Sequence, residues 1–221
     1  MRKIKVAIDG PAGAGKSTAA KMLAEYVHYK YIDTGAMYRA LTLLALEHNI
    51  DWNDEPALAK LFDEHNIDQN GVTTLIDGID IGIDIRTNRV SRAVSIVCRH
   101  SQVRERMVKL QRELAQVGGI VMDGRDIGTV VLLDAELKIF LTASLEKRAE
   151  RRMRDLIKMG KPIPFDEVLS NIEYRDKLDS TRKIAPLKQA DDAIVIDNSE
   201  LPIDEEIDIF VELVREKEHS N

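Results

Sequence analysis

The chain has 221 residues, of which 44% are hydrophobic, enough apolar side chain to build the core of one compact domain. Its net charge of −6 at pH 7 and its 5% of aromatic residues disfavour nucleic-acid polymers as partners, because such proteins present positive fields and stacking surfaces. The lone Cys98 cannot form an intrachain disulfide, and no apolar run approaches the roughly 18 residues of a membrane span, so we expect a soluble, cytoplasmic protein with no membrane partner.

Apolar runs alternate with helical periodicity along most of the chain. Short apolar runs predict five buried strands, at Ile4–Ile8, Tyr29–Ile32, Ile120–Met122, Leu137–Leu141 and Ala193–Ile196. Helical patterns cover Ser17–His28, Met37–His48, Glu55–Phe62 and about Val90–Gln116. Residues 67–85 alternate Ile, Val and Thr with glycines, which predicts short antiparallel strands joined by tight turns.

This order predicts an α/β fold with three layers, α/β/α, around a mostly parallel five-stranded sheet. Residues 65–89 are predicted to form a β-rich insert in a core made of residues 1–64 and 90–221. Residues 147–161 carry seven basic and two acidic side chains, and a turn-like break follows at Lys161–Pro164. This basic segment, about 147–166, is either a solvated helix face or a mobile phosphate clamp. The acidic segment from Asp197 onward is interpreted as a solvated helix face.

A glycine-rich motif follows the first predicted strand and opens the first predicted helix. It reads Gly10-Pro11-Ala12-Gly13-Ala14-Gly15-Lys16-Ser17, which fits the phosphate-binding loop pattern G-x-x-x-x-G-K-[ST] at every fixed position. Glycines let backbone N–H groups turn toward phosphate oxygens, and the helix adds its positive dipole end. Lys16 is expected to reach the β- and γ-phosphates, and the Ser17 hydroxyl to ligate Mg²⁺. The sequence therefore predicts a P-loop that binds a nucleoside triphosphate.

Three further motifs indicate what receives the phosphate. The chain has no N-K-x-D element for guanine and is short for a large ATPase, which leaves a small phosphotransferase. Arginines and hydroxyls follow predicted strands in the motifs Asp33-Thr34-Gly35-Ala36-Met37-Tyr38-Arg39 and Met122 to Val130. Ligands of open parallel sheets bind at the carboxyl ends of strands, so these two motifs and the P-loop are expected to meet in one crevice. A further motif, Arg175 to Arg182, adds two more arginines.

Taken together, these motifs closely resemble those of bacterial cytidylate kinases, which are P-loop nucleoside-monophosphate kinases. The similarity covers nearly the whole chain, including Glu146 to Arg152 and Ala185-Pro186-Leu187. It implies transfer of the γ-phosphoryl group of MgATP to CMP or dCMP in pyrimidine nucleotide metabolism, by a monomer with small-molecule substrates only. The basic segment would be a helical lid, and the insert would belong to the monophosphate-binding region. A phosphate acceptor is already ionised, so positioning and charge neutralisation suffice without a general base.

The resemblance also implies roles for individual residues. The ATP-binding set is Gly10, Pro11, Ala12, Gly13, Ala14, Gly15, Lys16, Ser17 and Thr18, and the catalytic set is Lys16, Arg125, Arg148, Arg151, Arg152 and Arg182. The phosphate of CMP would be held by Arg39, Arg125 and Arg182, with Thr34 and Tyr38 beside them. Cytosine would be read by Ser95, Arg104 and Asp126, and the ribose by Arg175 and Asp179. Arg148, Arg151 and Arg152 would act from the lid, and the spacing of Arg148 and Arg152 predicts that both point into the crevice.

Several alternatives remain open on the residues alone. Asp33 and Asp123 either hold waters of the Mg²⁺ shell or cap turns, and Asp126 either reads the base or orients an arginine through an ion pair. The chain could also be another P-loop small-molecule kinase, for adenylate, shikimate or a sugar acid. A third possibility is a non-enzymatic ATP-binding regulator, although such a protein would not need arginines directed into the crevice.

Overall fold

The computed structural model describes residues 2–158, 160 and 162–220. In chain order the strands are β1 (Lys5–Asp9), β2 (Lys30–Asp33), β3 (Ile67–Asn70), β4 (Thr73–Ile76), β5 (Ile79–Asp80), β6 (Ile120–Gly124), β7 (Leu137–Thr142) and β8 (Ile194–Asp197). The helices are α1 (Lys16–Tyr26), α2 (Thr34–Glu47), α3 (Glu55–Glu64), α4 (Asn88–Val97), α5 (Ser101–Leu114), α6 (Leu145–Lys158), α7 (Phe165–Thr181) and α8 (Ile203–His219). A 3₁₀ turn at Asp84–Arg86 and a π-helical turn at Ile127–Val131 complete the order.

A five-stranded sheet in the order β2-β6-β1-β7-β8 forms the middle layer, and every neighbouring pair is parallel. Both faces are covered, because side chains alternate along each strand: Val6 and Ile8 pack with α1 and α8, whereas Ala7 faces α2. All carboxyl ends of the strands therefore lie on one edge of the sheet. The α/β/α fold with a parallel five-stranded sheet is confirmed.

The predicted β-rich stretch contains a separate three-stranded antiparallel sheet, β3-β4-β5. Its apolar residues Ile67 and Ile76, with Ile81 and Ile85 that follow, are buried in the same core cluster as α2. The insert is thus packed against the helix that begins at the end of β2.

Two predicted elements differ in the structure. The helical pattern over Val90–Gln116 is broken into α4 and α5 near His100, whose Nε2 is 2.7 Å from the carbonyl oxygen of Trp52. The last predicted strand is not buried: β8 pairs only with β7 at the edge of the sheet, and Val195 is 50% exposed.

The basic segment forms α6 and leads into α7, and these two helices share a small apolar cluster that includes Ala149, Leu156, Val168 and Ile172. The predicted break at Lys161–Pro164 begins at Lys161, which lies outside the described residues. The acidic C-terminal segment includes α8, which buries Ile207, Phe210 and Val214 and exposes most of its acidic side chains. Among the described residues, no helix is long and apolar enough to cross a membrane.

Candidate functional site

The glycine-rich loop connects β1 to α1 at the carboxyl edge of the sheet. Gly10 has φ +152°, and a Cβ atom there would lie 2.0 Å from the carbonyl oxygen of Leu141, so only glycine fits this close approach to β7. Gly15 has φ +92° and immediately precedes α1. The loop therefore leads directly into the N-terminus of α1, where free N–H groups and the helix dipole favour an anion.

Lys16 and Asp123 are buried side by side at the start of α1. Lys16 Nζ donates to the carbonyl oxygen of Pro11 at 2.7 Å, so the ammonium lies back against the loop. Asp123 accepts hydrogen bonds from the hydroxyls of Ser17 and Tyr31, each at 2.9 Å. Burial lowers the pKa of Lys16 and raises the pKa of Asp123. Burial therefore destabilises the charged forms of both groups. A bound polyphosphate would favour the charged form of Lys16, and a cation would favour that of Asp123.

Asp33 caps α2 and lies near Asp123. Its Oδ1 accepts from the backbone N–H of Ala36 at 2.9 Å, which is the turn-capping role. Its charge adds to burial in raising the pKa of Asp123. The two carboxylates with the Ser17 hydroxyl are hard oxygen donors of the kind that Mg²⁺ prefers.

A cavity of about 270 Å³ adjoins this pair and is lined by arginines and aspartates from several elements. Its arginines are Arg39, Arg86, Arg104, Arg125, Arg152, Arg175 and Arg182, and its aspartates are Asp33, Asp123, Asp126 and Asp179. Thr34, Tyr38 and Ser95 also line it, so the predicted acceptor residues from four separated motifs meet here. Seven arginines against four aspartates make the cavity a site for an anion.

Four of these arginines have no acidic partner among the described residues: Arg86, which is exposed, and the partly buried Arg39, Arg152 and Arg175. Arg39 donates only to the Ser91 hydroxyl at 2.9 Å, Arg152 makes no hydrogen bond, and Arg175 Nε is buried without a partner. Burial and the charges of Arg125 and Arg39 lower the pKa of Arg175 to about 10. Burial also lowers the pKa of Arg39. Mutual repulsion of this kind is relieved when a phosphate group binds between the guanidinium groups.

The other end of the cavity is built around Asp126. Its carboxylate accepts from Arg104, and from Arg182 Nη2 at 3.2 Å, while Arg104 also lies 5.8 Å from the centre of the Tyr38 ring. The Tyr38 hydroxyl is buried without a hydrogen-bond partner among the described residues. Arg125 donates separately to Asp179 at 2.8 Å. Asp126 thus forms ion pairs with two arginines and also lines the cavity wall.

The arginines of α6 point in different directions. Arg152 lines the cavity, whereas Arg148 donates to the carbonyl oxygen of Ala12 at 3.1 Å and to Asp176 of α7. Arg151 donates to the side chain of Asn198 at 2.9 Å and to the carbonyl oxygen of Ala14 at 3.3 Å. Arg148 and Arg151 therefore hold the outer side of the P-loop, and of the predicted pair only Arg152 lines the acceptor cavity.

Sequence reasoning missed several buried polar residues that support these elements. Asp9 accepts from the backbone N–H groups of Ile127 and Gly128 at 2.8 and 2.7 Å, and burial raises its pKa to about 6. Asn198 donates to the carbonyl oxygen of Ala14 and to Glu206, each within 2.9 Å. Both residues stand at the carboxyl ends of strands or just beyond, which is the one sequence signal that could have singled them out.

Comparison with known proteins adds to this geometry. The family model for cytidylate kinase matches residues 6–216. A cytidylate kinase of Bacillus pumilus (strain SAFR-032) is 53% identical over 208 residues, with 92% of each chain covered, and that of Bacillus subtilis (strain 168) is 49% identical with 98% of each covered. A cytidylate kinase of Enterococcus faecalis (strain ATCC 700802 / V583) is also 49% identical over 98% of both chains.

Solved structures with similar folds are far more distant in sequence. An uncharacterised protein from Eubacterium ventriosum ATCC 27560 has a TM-score of 0.55 at 13% identity, with 96% of this chain and 99% of the other covered. A shikimate kinase from Bacteroides thetaiotaomicron has a TM-score of 0.50 at 14% identity, with 96% and 98% covered. At this distance the likeness extends to the α/β fold alone.

Proposed function

The chain belongs to the cytidylate kinase family and phosphorylates CMP, and from this premise we propose that the γ-phosphoryl group of MgATP is what it transfers, to dCMP as well as to CMP. The products are then ADP with CDP or dCDP. The single observation that carries the proposed site is a set of three partly buried arginines that have no acidic partner among the described residues and line one cavity beside the P-loop, Arg39, Arg152 and Arg175.

The acceptor phosphate would bind to Arg39, with Arg125 and Arg182 completing the clamp, while Arg152 would face the transferring group and Arg175 the ribose. A phosphate dianion replaces the repulsion between buried cations by charge-assisted hydrogen bonds, which are about twice as strong as neutral ones. Because its oxygens are already ionised, the acceptor needs no base to become a nucleophile. The chain's contribution is then to hold the acceptor in line with the γ-phosphate and to neutralise the charge of the transition state.

The triphosphate would lie on the P-loop, with Lys16 turning from Pro11 toward the β- and γ-phosphates. The donor set fits Mg²⁺: Ser17 offers a hydroxyl bonded to the Asp123 carboxylate, and Asp33 lies near it. Among the described residues, no three His, Cys, Asp or Glu side chains form a complete metal site, which suits an ion that is held partly by water and by substrate phosphates. Bound there, Mg²⁺ would supply charge stabilisation for the phosphates.

The nucleoside would occupy the end of the cavity around Asp126. A carboxylate accepts from the exocyclic amine of cytosine, which uracil lacks, and Arg104 donates to the ring nitrogen. Ser95 lines the same end, and Thr34 and Tyr38 offer hydroxyls between the base and the phosphate. Arg175 and Asp179 would face the ribose. Ribose contacts that do not need the 2′-hydroxyl would accept dCMP as well as CMP.

The chain would work in three parts: the core, the insert of residues 65–89 and the lid of residues about 147–166. Arg152 would reach the transferring group from the lid, while Arg148 and Arg151 would hold the P-loop through Ala12 and Ala14. We place the protein in pyrimidine nucleotide metabolism, in the cytoplasm, as a monomer. A lone cysteine supports a reducing compartment.

An acceptor panel tests the proposal. ADP release from ATP and Mg²⁺ would be measured with CMP, dCMP, UMP, AMP, GMP, shikimate and gluconate as acceptors, and with Lys16→Ala as the matched inactive chain. CMP and dCMP should give the highest kcat/KM, and chelation of Mg²⁺ should stop turnover. A preference for another acceptor would replace the proposed substrate, and ATP binding without turnover of any acceptor would leave only a regulator.

A further inference from the structure

Gln69 joins the insert to the core through its side-chain amide. It lies on β3 and is 2% exposed, and Asp33 is the last residue of β2. Gln69 Oε1 accepts from the backbone N–H of Asp33 at 2.8 Å, and Gln69 Nε2 donates to the carbonyl oxygen of Asp33, also at 2.8 Å. The same Nε2 is 3.3 Å from the hydroxyl of Thr74 on β4. The amide therefore pairs with both backbone groups of Asp33, as a neighbouring strand would.

Asp33 directly precedes α2, the helix that supplies several residues to the acceptor side of the cavity. Its side chain caps α2, and the first two turns of α2 carry Thr34, Tyr38 and Arg39, all of which line the cavity. The insert meanwhile contributes Ile85 to the same lining. A shift of the Asp33 backbone would therefore move the start of α2, and with it the hydroxyls and the guanidinium group that face the acceptor.

We propose that Gln69 is a positioning residue for the acceptor nucleotide: it couples the insert to the end of β2 and so fixes the start of α2 for binding CMP. This inference rests on the proposed function, because it takes the cavity as the CMP site. The P-loop is held by other contacts, through Arg148 to Ala12 and through Asn198 to Ala14. Loss of the Gln69 amide should consequently weaken CMP binding and leave the P-loop contacts of ATP as they are. Because Asp33 also lies near the proposed Mg²⁺ position, ATP binding is measured without Mg²⁺.

Three variants of the full chain separate positioning from general destabilisation. Gln69→Ala removes both hydrogen bonds to Asp33, and Thr74→Val removes only the bond that orients the amide. Gln111→Ala is the matched control, because Gln111 is a glutamine of α5 that is 1% exposed and does not line the cavity. Dissociation constants for CMP and for ATP would be measured by calorimetry, together with KM, kcat and the melting temperature of each variant.

Gln69→Ala should weaken CMP binding about tenfold and ATP binding by less than about twofold, with the loss appearing in the KM for CMP more than in kcat. Thr74→Val should weaken CMP binding about threefold. Gln111→Ala should leave CMP binding unchanged, even where it lowers the melting temperature as much as Gln69→Ala does. Unchanged CMP binding in Gln69→Ala, equal losses for CMP and ATP, or an equal loss in Gln111→Ala would overturn the inference.

Two controls keep these results distinct from the proposed function. If the unmodified chain fails to bind CMP, the proposed function fails and Gln69 is not the reason. If Gln69→Ala does not fold, Thr74→Val decides: weaker CMP binding with unchanged ATP binding supports the inference, and unchanged CMP binding overturns it.

Discussion

Replacing Asp126 by alanine should change which base is accepted as well as the stability of the chain. The Asp126 and Arg104 side chains are 8% and 4% exposed, so the substitution leaves a buried guanidinium without its carboxylate. Removing one partner of a buried ion pair costs about 3–5 kcal/mol, and we expect the free energy of unfolding to fall by about 3 kcal/mol because Arg104 keeps its contact with Tyr38. The chain should remain folded at moderate temperature.

The effect on base choice follows from the same carboxylate. A hydrogen bond to a charged group is worth about 1.5–3 kcal/mol, so the loss of the bond from the cytosine amine should lower kcat/KM for CMP about a hundredfold. Uracil presents a carbonyl group at that edge and makes no such bond, so kcat/KM for UMP should fall no more than about tenfold. The ratio of the two values should therefore narrow by about tenfold, or about 1.4 kcal/mol.

The assay is coupled ADP release with each acceptor, and Asp179→Ala is its matched control. Asp179 also pairs with a buried arginine of the cavity, Arg125, but it would face the ribose that CMP and UMP share. Asp179→Ala should lower kcat/KM for both acceptors by the same factor. If Asp126→Ala does the same, Asp126 only supports Arg104 and Arg182, and the base-reading argument is refuted.

Four other substitutions have equally definite outcomes. Lys16→Ala should lower kcat by about 10³ with little change in melting temperature, because the ammonium stabilises the charge of the phosphates in the transition state. Near-normal turnover in a folded variant would contradict the P-loop assignment. Arg152→Ala should lower kcat more than it weakens CMP binding, and a change confined to CMP affinity would show that Arg152 binds CMP and not the transferring group. Arg148→Ala should also lower the melting temperature, since it loses bonds to Ala12 and α7. The folded-state pKa of Asp9, about 6, lies above its ordinary 3.8, so its contribution to stability is present below pH 3.8 and is lost as the pH rises through 6. In urea unfolding, the free energy of unfolding of the unmodified chain should therefore fall by about 1 kcal/mol relative to that of Asp9→Asn between about pH 5 and about pH 8. Free energies that change in parallel with pH would contradict the raised pKa of Asp9.

The sequence predicted the elements whose signal is local. The P-loop follows from Gly10 to Ser17 because glycine spacing, strand and helix stand together in one short segment, and the parallel sheet follows from the alternation of strands and helices. The meeting of Arg39 and Arg125 in one cavity was predictable because each closely follows the carboxyl end of a strand, whereas Arg182 follows α7 and was assigned to this site from the family resemblance.

Other features depend on contacts between distant segments. No glycine or proline marks the end of α4, and the break before α5 is made where His100 reaches the carbonyl oxygen of Trp52. Helical spacing placed Arg148 and Arg152 on one face, but it could not say that Arg148 binds the P-loop while Arg152 lines the cavity. Gln69 is the middle residue of three consecutive polar residues, Asp68 to Asn70, and nothing local indicates that its amide turns inward to Asp33.

The strand order also constrains how the nucleotide site can form as the chain is synthesised. β1 and β2 both pair with β6, and among the described strands neither pairs with any that precedes β6 in the chain. Ile4, Val6 and Ile8 therefore have no sheet neighbour until Ile120–Gly124 has emerged from the ribosome, and this delay exposes an apolar strand to aggregation. The P-loop stands near the start of the sequence, but it can form its phosphate site only after more than half of the chain has been synthesised. A nascent fragment that ends before β6 has no five-stranded sheet to support the P-loop.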